Sequence, residues 1–125
     1  MTRDTVSTDK IATPVGPFSP AVRAGEFVYV SGQVAQDPTT GRLVEGDATA
    51  QTERIFANLA AVLEAAGKTL DDVVKASVFL TDMRDYPAMN AAYQQRFSAP
   101  YPARTAIAVS ALPLGAAVEI DVVAR

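Results

Sequence analysis

Two stretches of sequence decide the fold: Pro102-Ala103-Arg104-Thr105-Ala106-Ile107-Ala108-Val109 and Ala117-Val118-Glu119-Ile120-Asp121-Val122-Val123. Side-chain types alternate with period two in both, which is typical of half-buried β-strands. The segment Leu-Pro-Leu-Gly between them predicts a turn, because proline cannot donate to a strand ladder and glycine relaxes the backbone. We therefore expect an antiparallel hairpin with Arg104 in one arm and Glu119 in the other.

Arg104 and Glu119 are the charged residues that bracket this otherwise apolar hairpin. Burying a guanidinium or a carboxylate is costly unless the group is paired or used. The residues alone leave two interpretations open, a partly exposed strand face or a functional pair. With the turn centred on Pro113-Leu114, Glu119 faces Ala108, and the two charged side chains lie roughly 13 Å apart in one chain at ~3.3 Å per residue. A site for a small ligand would then take Glu119 from a neighbouring subunit.

Length and charge limit the classes of protein to consider. The chain has 125 residues, 49% of them hydrophobic, which predicts one domain over residues 1–125 with a single core. The net charge of −3 and the absence of a Lys/Arg cluster argue against nucleic-acid binding. No apolar run reaches the ~18–20 residues that cross a membrane. Residues 1–9 are polar and lack a signal-peptide core, so we expect a flexible N-terminus and a cytoplasmic protein.

The chain contains neither cysteine nor histidine. This excludes disulfides, thiol nucleophiles, Ser-His-Asp triads and metal sites built on either residue type. Any chemistry must use carboxylates, Arg, Lys, Tyr, hydroxyls, backbone amides and water.

The remaining segments predict the other strands and helices in chain order. A short strand at 10–13 is followed by a proline-rich loop at 14–20, a hairpin at 21–33 and a short strand at 42–44. A helix capped by Asp47 or Thr49 runs to about Ala66, a strand covers 74–80, and a helix runs from Asp85 through Phe97. This predicts an α+β domain of order βββαβαββ, with two helices on one face of a mixed sheet. The other face also carries apolar side chains, so we expect a homo-oligomer.

Four further residues are candidates for a binding site. Phe18, in the stiff loop, suits either a pocket wall or a plug over the core. Ser31 could donate to a ligand carboxylate or satisfy the backbone at its strand end, and Gly32 permits close approach by something small. Asn90 lies beside the apolar stripe of the second helix, where it could reach a ligand or another subunit, or serve as a cap.

Ordered motifs along the chain resemble those of the RidA/YjgF family of reactive-intermediate (enamine/imine) deaminases. The resemblance covers residues 16–124 and rests on many pieces at compatible spacing. They are Gly16-Pro17-Phe18-Ser19, Val30-Ser31-Gly32-Gln33, Asn58-Leu59, Leu63-Glu64-Ala65-Ala66-Gly67, Val74-Lys75, Asn90 with Tyr93, Pro102-Ala103-Arg104-Thr105, Leu112-Pro113 and Val118-Glu119-Ile120.

This resemblance implies a chorismate-mutase-like fold, a homotrimer, and sites in the clefts between subunits. It implies hydrolysis of 2-aminoacrylate and related 2-imino acids to 2-keto acids and ammonia, without a metal or an organic cofactor. By the same resemblance Arg104 would hold the substrate carboxylate and Glu119 would position or activate water. Ser31, Gly32 and Asn90 would line the pocket, and Phe18 would wall it.

Two positions depart from the family pattern. Phe18 stands where many members have Tyr, so a hydroxyl is lost while the ring remains. Ala106 stands where many members have Cys, so regulation through a thiol is excluded. Both departures concern rate and substrate preference more than the class of reaction.

Three hypotheses about function follow. The first is an imine deaminase of the 2-iminobutanoate/2-iminopropanoate type. The second is a non-catalytic protein of the same fold that binds small carboxylates as a sensor or partner. Both use Arg104, but only the first needs Glu119. RNA cleavage, an activity ascribed to some family members, ranks last because the chain is acidic and lacks histidine.

Overall fold

A computed structural model describes residues 2–125 of the chain. The strands within that range, β1 to β6 in chain order, are Asp4–Val6, Ala21–Ala24, Phe27–Gln33, Val73–Leu80, Ala103–Ala108 and Val118–Ala124. The α-helices within the same range are α1, Ala48–Ala65, and α2, Tyr86–Gln94. The strands form one sheet in the spatial order β1-β2-β3-β6-β4-β5, with β4 and β5 parallel and the other pairs antiparallel. The predicted α+β class, the order βββαβαββ and the mixed sheet are confirmed.

Helix α1 packs on one face of the sheet, as its apolar stripe predicts. The Asp47 carboxylate accepts a hydrogen bond from the Ala50 amide at 3.0 Å and so satisfies one free donor of the first turn. Ile55, Leu59 and Val62 recur at helical spacing and are fully buried. They join the core with the inward side chains of β3, β4 and β6.

Helix α2 lies beside α1 and is fixed to it by a cluster of aromatic rings. The Phe56 ring contacts Tyr93 and Phe97 edge-to-face, with both pairs of centroids 5.6 Å apart. Such edge-to-face pairs stabilise packing beyond the apolar area that they bury. The helix ends at Gln94, three residues before the predicted end, although Phe97 still packs against the core.

The predicted hairpin of β5 and β6 is wrong, because β4 lies between the two strands. Strand β5 returns from α2 and pairs with β4 in parallel, which leaves the opposite edge of β4 for β6. The link from β5 to β6 passes over the end of β4. The Val109 amide donates to the Leu80 carbonyl at 2.7 Å, and the Thr81 amide donates to the Ala117 carbonyl at 3.2 Å. Alternation of side chains identified both strands but does not specify which strand each one pairs with.

The N-terminal predictions also need correction. Asp4–Val6, placed by sequence in a flexible segment, forms β1 and pairs with β2. Residues 10–13 contain no strand. The short strand predicted at 42–44 is reduced to an isolated bridge between Leu43 and Gln36. Polar composition predicts a flexible segment at 1–9, of which residue 1 lies outside the described residues, yet pairing with β2 buries Val6, which is 6% exposed.

The sheet face opposite the helices, here called the open face, mixes apolar and charged side chains. Tyr29 and Ile107 remain 49% and 45% exposed on it. Strand β6 directs Glu119 and Asp121 to the same face, since Val118, Ile120 and Val122 alternate with them and are buried on the helix side. Strand β5 forms one edge of the sheet. An uncovered face beside a free edge predicts contact with another copy of the chain.

No helix among residues 2–125 is long and apolar enough to cross a membrane.

Replacement of Asn58 by Ala should destabilise the fold by about 2 kcal/mol, the usual cost of leaving buried polar groups without partners. The Asn58 amide is 1% exposed and donates to the carbonyls of Val34 and Gln36. Urea unfolding measures the change, and Glu53→Ala, an exposed site on the same helix, is the control, expected within about 0.5 kcal/mol of wild type. Equal stability of the two variants would contradict this role of Asn58.

Candidate active site in two cavities

Arg104 lies in the wall of a cavity at the β5 edge of the sheet, here called the arginine cavity. Its volume is about 330 Å³, and Asn90, Tyr93 and Tyr101 also line it. Arg104 pairs with Ala76 of β4, whose side chain is buried among the helices, so the guanidinium points to the helix side of the sheet. This orientation brings Arg104 to α2.

The Arg104 guanidinium is held by neutral groups of α2. Nη1 donates to the Asn90 amide oxygen at 2.8 Å, and Nη2 donates to the Tyr86 hydroxyl at 2.7 Å. The guanidinium carbon also lies 4.7 Å from the centre of the Tyr93 ring, a favourable cation–π contact. No carboxylate of residues 2–125 forms an ion pair with it. A half-buried cation with fixed geometry and no internal anion is ready to bind an external one.

Glu119 lies in the wall of a second cavity, here called the glutamate cavity, which has a volume of about 430 Å³. Most of its lining is apolar and comes from the N-terminal loop and from the turn before β6. Phe18, Val15 and Leu114 are among these residues, and Gly32 lies beside Glu119. The cavity therefore presents one carboxylate within an apolar enclosure.

Gly32 allows β3 to lie close to the Glu119 side chain in its present position. A Cβ atom at this position would lie 2.6 Å from one carboxylate oxygen of Glu119, closer than side-chain carbons pack. The pairing of β3 with β6 shifts register between Val30 and Gln33, so the approach occurs at a β-bulge. Bulges often redirect side chains next to functional sites. The missing side chain of Gly32 leaves space for the carboxylate next to this irregularity.

Burial raises the pKa of the Glu119 carboxyl above its ordinary value, and the nearby charge of Asp121 raises it further. Burial likewise raises the pKa of Asp121, against the lowering effects of a Ser77 hydrogen bond and of the Lys75 charge. A carboxylate with a raised pKa is a better base than one in water, and it can return the proton as an acid. Because the ionised form is disfavoured by folding, Glu119 contributes stability at low pH that is lost as pH rises through its folded pKa.

The two cavities lie on opposite faces of the sheet. Arg104 pairs with Ala76 and Glu119 pairs with Phe79, so the two are three positions apart along β4 and on either side of it. At about 3.3 Å per residue and 4.8 Å per strand, their Cα atoms are on the order of 14 Å apart. Odd spacing along β4 also sends the two side chains to opposite faces. The expectation that they cannot meet in one chain stands, but for a different reason from the hairpin register.

The predicted site residues divide between the two cavities. Asn90 joins Arg104, whereas Phe18 and Gly32 join Glu119. Ser31 lines neither cavity, since its hydroxyl donates to the Ser19 carbonyl at 2.6 Å and fixes the loop that carries Phe18. Of the alternatives left open for Ser31, the structure shows the backbone contact.

Sequence reasoning missed Tyr86 and Leu114. Tyr86 precedes Asn90 by one helical turn, so spacing alone could have placed both on the face that meets Arg104. The sequence around Leu114 predicts only a turn, and no sequence signal marks its side chain as part of a cavity. Residues 2–125 also contain no group of three or more Asp or Glu residues that could hold a metal ion.

Comparison with known proteins identifies the family of the chain. The sequence model of a family described as Endoribonuclease L-PSP matches residues 8–125. A RutC family protein of Pyrococcus abyssi is 42% identical over 124 residues, which are 99% of this chain and 98% of that protein. A 2-iminobutanoate/2-iminopropanoate deaminase of Capra hircus is 40% identical over 124 residues, covering 99% of this chain and 90% of the relative.

Solved structures give the same result for the fold. The crystal structure of RidA from an Antarctic Psychrobacter species is 47% identical and superposes with a TM-score of 0.94, covering 98% of this chain and 99% of that one. The chain therefore belongs to the Endoribonuclease L-PSP family, which is the RidA/YjgF family that its ordered motifs predicted.

Proposed function

We propose that the protein hydrolyses reactive 2-imino acids to 2-keto acids and ammonia. The observation that carries the proposal is the pair of complementary cavities, one with an unpaired guanidinium and the other with a carboxylate of raised pKa. A 2-imino acid has a carboxylate for the first group and an electrophilic C=N carbon for water activated by the second. Two relatives that are 40% identical to this chain are named 2-iminobutanoate/2-iminopropanoate deaminases, and such substrates are 2-imino acids.

The complete site is formed between subunits of a homotrimer. Arg104 and Glu119 of one chain face away from each other, so a three-carbon substrate cannot contact both. The edge strand β5 and the exposed apolar groups of the open face, including Tyr29 and Ile107, suit docking of one copy on the next. Such docking lets the Arg104 of one subunit approach the Glu119 of its neighbour. The number of subunits follows from the family resemblance.

Arg104 binds the substrate carboxylate through two parallel hydrogen bonds. A guanidinium has five N–H donors, and only two of them are used by Asn90 and Tyr86. The remaining donors are free for a bidentate carboxylate. Because Tyr86 and Asn90 already fix the guanidinium, little side-chain freedom is lost when the substrate binds.

Glu119 acts first as a base and then as an acid. Water adds to the carbon of the protonated imine while its proton passes to the Glu119 carboxylate, and a carbinolamine forms. Glu119 then returns this proton to the amino nitrogen. The C–N bond breaks as the hydroxyl loses its proton to Glu119, which leaves the keto acid and ammonia, and the proton passes finally to ammonia to give ammonium. Positioned proton transfer of this kind contributes about 10²–10⁴-fold to a rate.

The chemistry needs no group that the chain lacks. The imine carbon is already electrophilic, so positioning of water and proton transfer are sufficient. The family description mentions endoribonuclease activity, but no observation on this chain favours it over the deaminase. Its net charge is −3, and histidine, the usual acid and base of such enzymes, is missing from the sequence.

Glu119→Gln should slow ammonia release from an imino acid about 10²–10⁴-fold, because the amide cannot accept the proton of water. The imino acid is generated in place by an amino-acid oxidase, and the spontaneous rate is subtracted. Glu53→Gln, an exposed site on α1, is the control and should match wild type. Wild-type ammonia release no faster than the spontaneous rate would contradict the proposed function. Binding of 2-keto acids without catalysis would then favour the carboxylate-binding alternative.

Arg104→Lys should lower kcat/KM, with a loss of about 2–3 kcal/mol in transition-state stabilisation. The reason is that an ammonium group cannot reproduce two parallel bonds to a carboxylate. Tyr86→Phe removes only one of the bonds that hold the guanidinium, so we expect a smaller loss. Steady-state kinetics measures both, with the exposed Arg96→Lys as the control. A folded Arg104→Lys variant with wild-type kinetics would exclude Arg104 as the carboxylate site.

A further inference from the structure

Leu114, which lines the glutamate cavity, has an unusual backbone conformation. It lies in the Pro113–Gly115 turn with φ 60° and ψ 16°, the left-handed region. A branched side chain is disfavoured there because its Cβ crowds the backbone, and Gly or Asn is the usual occupant. Leu114 is the one non-glycine residue with positive φ among residues 2–125. Strain of this kind often marks a functional position.

The Leu114 side chain is not used to fill the core. It remains 61% exposed and lines the glutamate cavity together with Phe18, which is 53% exposed, and Val15, which is 93% exposed. Two of these residues come from the N-terminal loop and one from the turn before β6, and together they are here called the apolar rim. Within one chain the rim gains little from burial, so a ligand or another molecule must account for its apolar character.

The geometry of the proposed reaction determines which part of a substrate meets the rim. If Arg104 of a neighbouring subunit holds the carboxylate and Glu119 lies at the reacting carbon, the third substituent of that carbon extends into the glutamate cavity. A volume of about 430 Å³ is within the range of about 300–1,000 Å³ for organic-ligand pockets. This volume is that of one chain, and the Arg104 side chain of the neighbour takes part of it, so the preference for a long substituent rests on the apolar character of the rim.

We propose that Leu114 is a specificity-determining residue that, with Phe18 and Val15, selects 2-imino acids with long or branched apolar side chains over three-carbon ones. This inference rests on the proposed function for the orientation of the substrate. The apolar lining by Leu114, Phe18 and Val15 is a feature of the structure and does not depend on that function. When two substrates differ by one methylene group in an apolar pocket, their kcat/KM values differ about 10–200-fold. The loss of one leucine side chain from the pocket should therefore change substrate preference by a measurable amount.

The test compares the imino acids of alanine and leucine, generated in place by an amino-acid oxidase. Wild type should favour the leucine-derived imine in kcat/KM, and Leu114→Gly should lower that ratio about 10-fold. Leu114→Met keeps an apolar side chain of similar volume and should retain most of the preference. Met83→Ala, an exposed apolar site that does not line the cavity, should not change the ratio. Leu114→Gly should not lose stability, because glycine accepts positive φ without strain.

A second readout does not require catalysis. The Kd values of pyruvate and 4-methyl-2-oxopentanoate, the corresponding keto acids, are measured by NMR titration for the same variants. The same loss of preference in Leu114→Gly would support the role of the apolar rim in ligand selection. This holds even if wild type releases no ammonia, and in that case only the deaminase proposal would fail. An unchanged ratio in Leu114→Gly, in both kinetics and binding, would overturn the inference. So would a variant that loses its oligomeric state while the ratio stays constant, since Leu114 would then serve subunit contact.

Discussion

The position of β4 between β5 and β6 is the constraint on which the rest of the site depends. Because β4 pairs with both strands, Arg104 and Glu119 are separated by two strand spacings and three residues of register. The odd offset sends one side chain to the helices and the other to the open face. The two groups therefore lie in separate cavities of one chain, and the proposed Arg–substrate–Glu arrangement requires that chains associate.

The two charged groups are stabilised in different ways, and each suits its proposed role. Arg104 is held by an amide oxygen, a hydroxyl and an aromatic ring, so its positive charge is oriented without being neutralised. Glu119 is instead partly desolvated in an apolar cavity near Asp121, so its pKa rises. In the proposed reaction the imino acid brings a carboxylate to Arg104 and a protonated nitrogen near Glu119, which offsets the desolvation cost of both charged groups. Gly32 belongs to the same arrangement because any side chain there would displace the Glu119 carboxylate.

Local patterns in the sequence predicted most of the fold. Helical spacing located α1 and α2, and Asp47 marked the start of α1. Alternation located β5 and β6 but paired them wrongly, since pairing depends on the βαβ crossover through α2 and not on side-chain pattern. Val6 shows a related limit, because its burial in β1 depends on contact with β2. The sequence identified Arg104 and Glu119 as candidate site residues, but it did not predict that a strand lies between them. Tyr86 and Leu114 depend on tertiary contacts and on a positive φ that composition does not reveal.

The measurement that tests the central claim most directly is complementation between two inactive variants. Arg104→Ala chains and Glu119→Gln chains are unfolded, mixed in equal amounts and refolded together, and ammonia release from an imino acid is compared with each variant alone. If every site takes Arg104 from one subunit and Glu119 from the next, random mixing should restore about one quarter of wild-type activity. If mixed oligomers are demonstrated and activity does not recover, both residues act from one chain and the site shared between subunits is excluded.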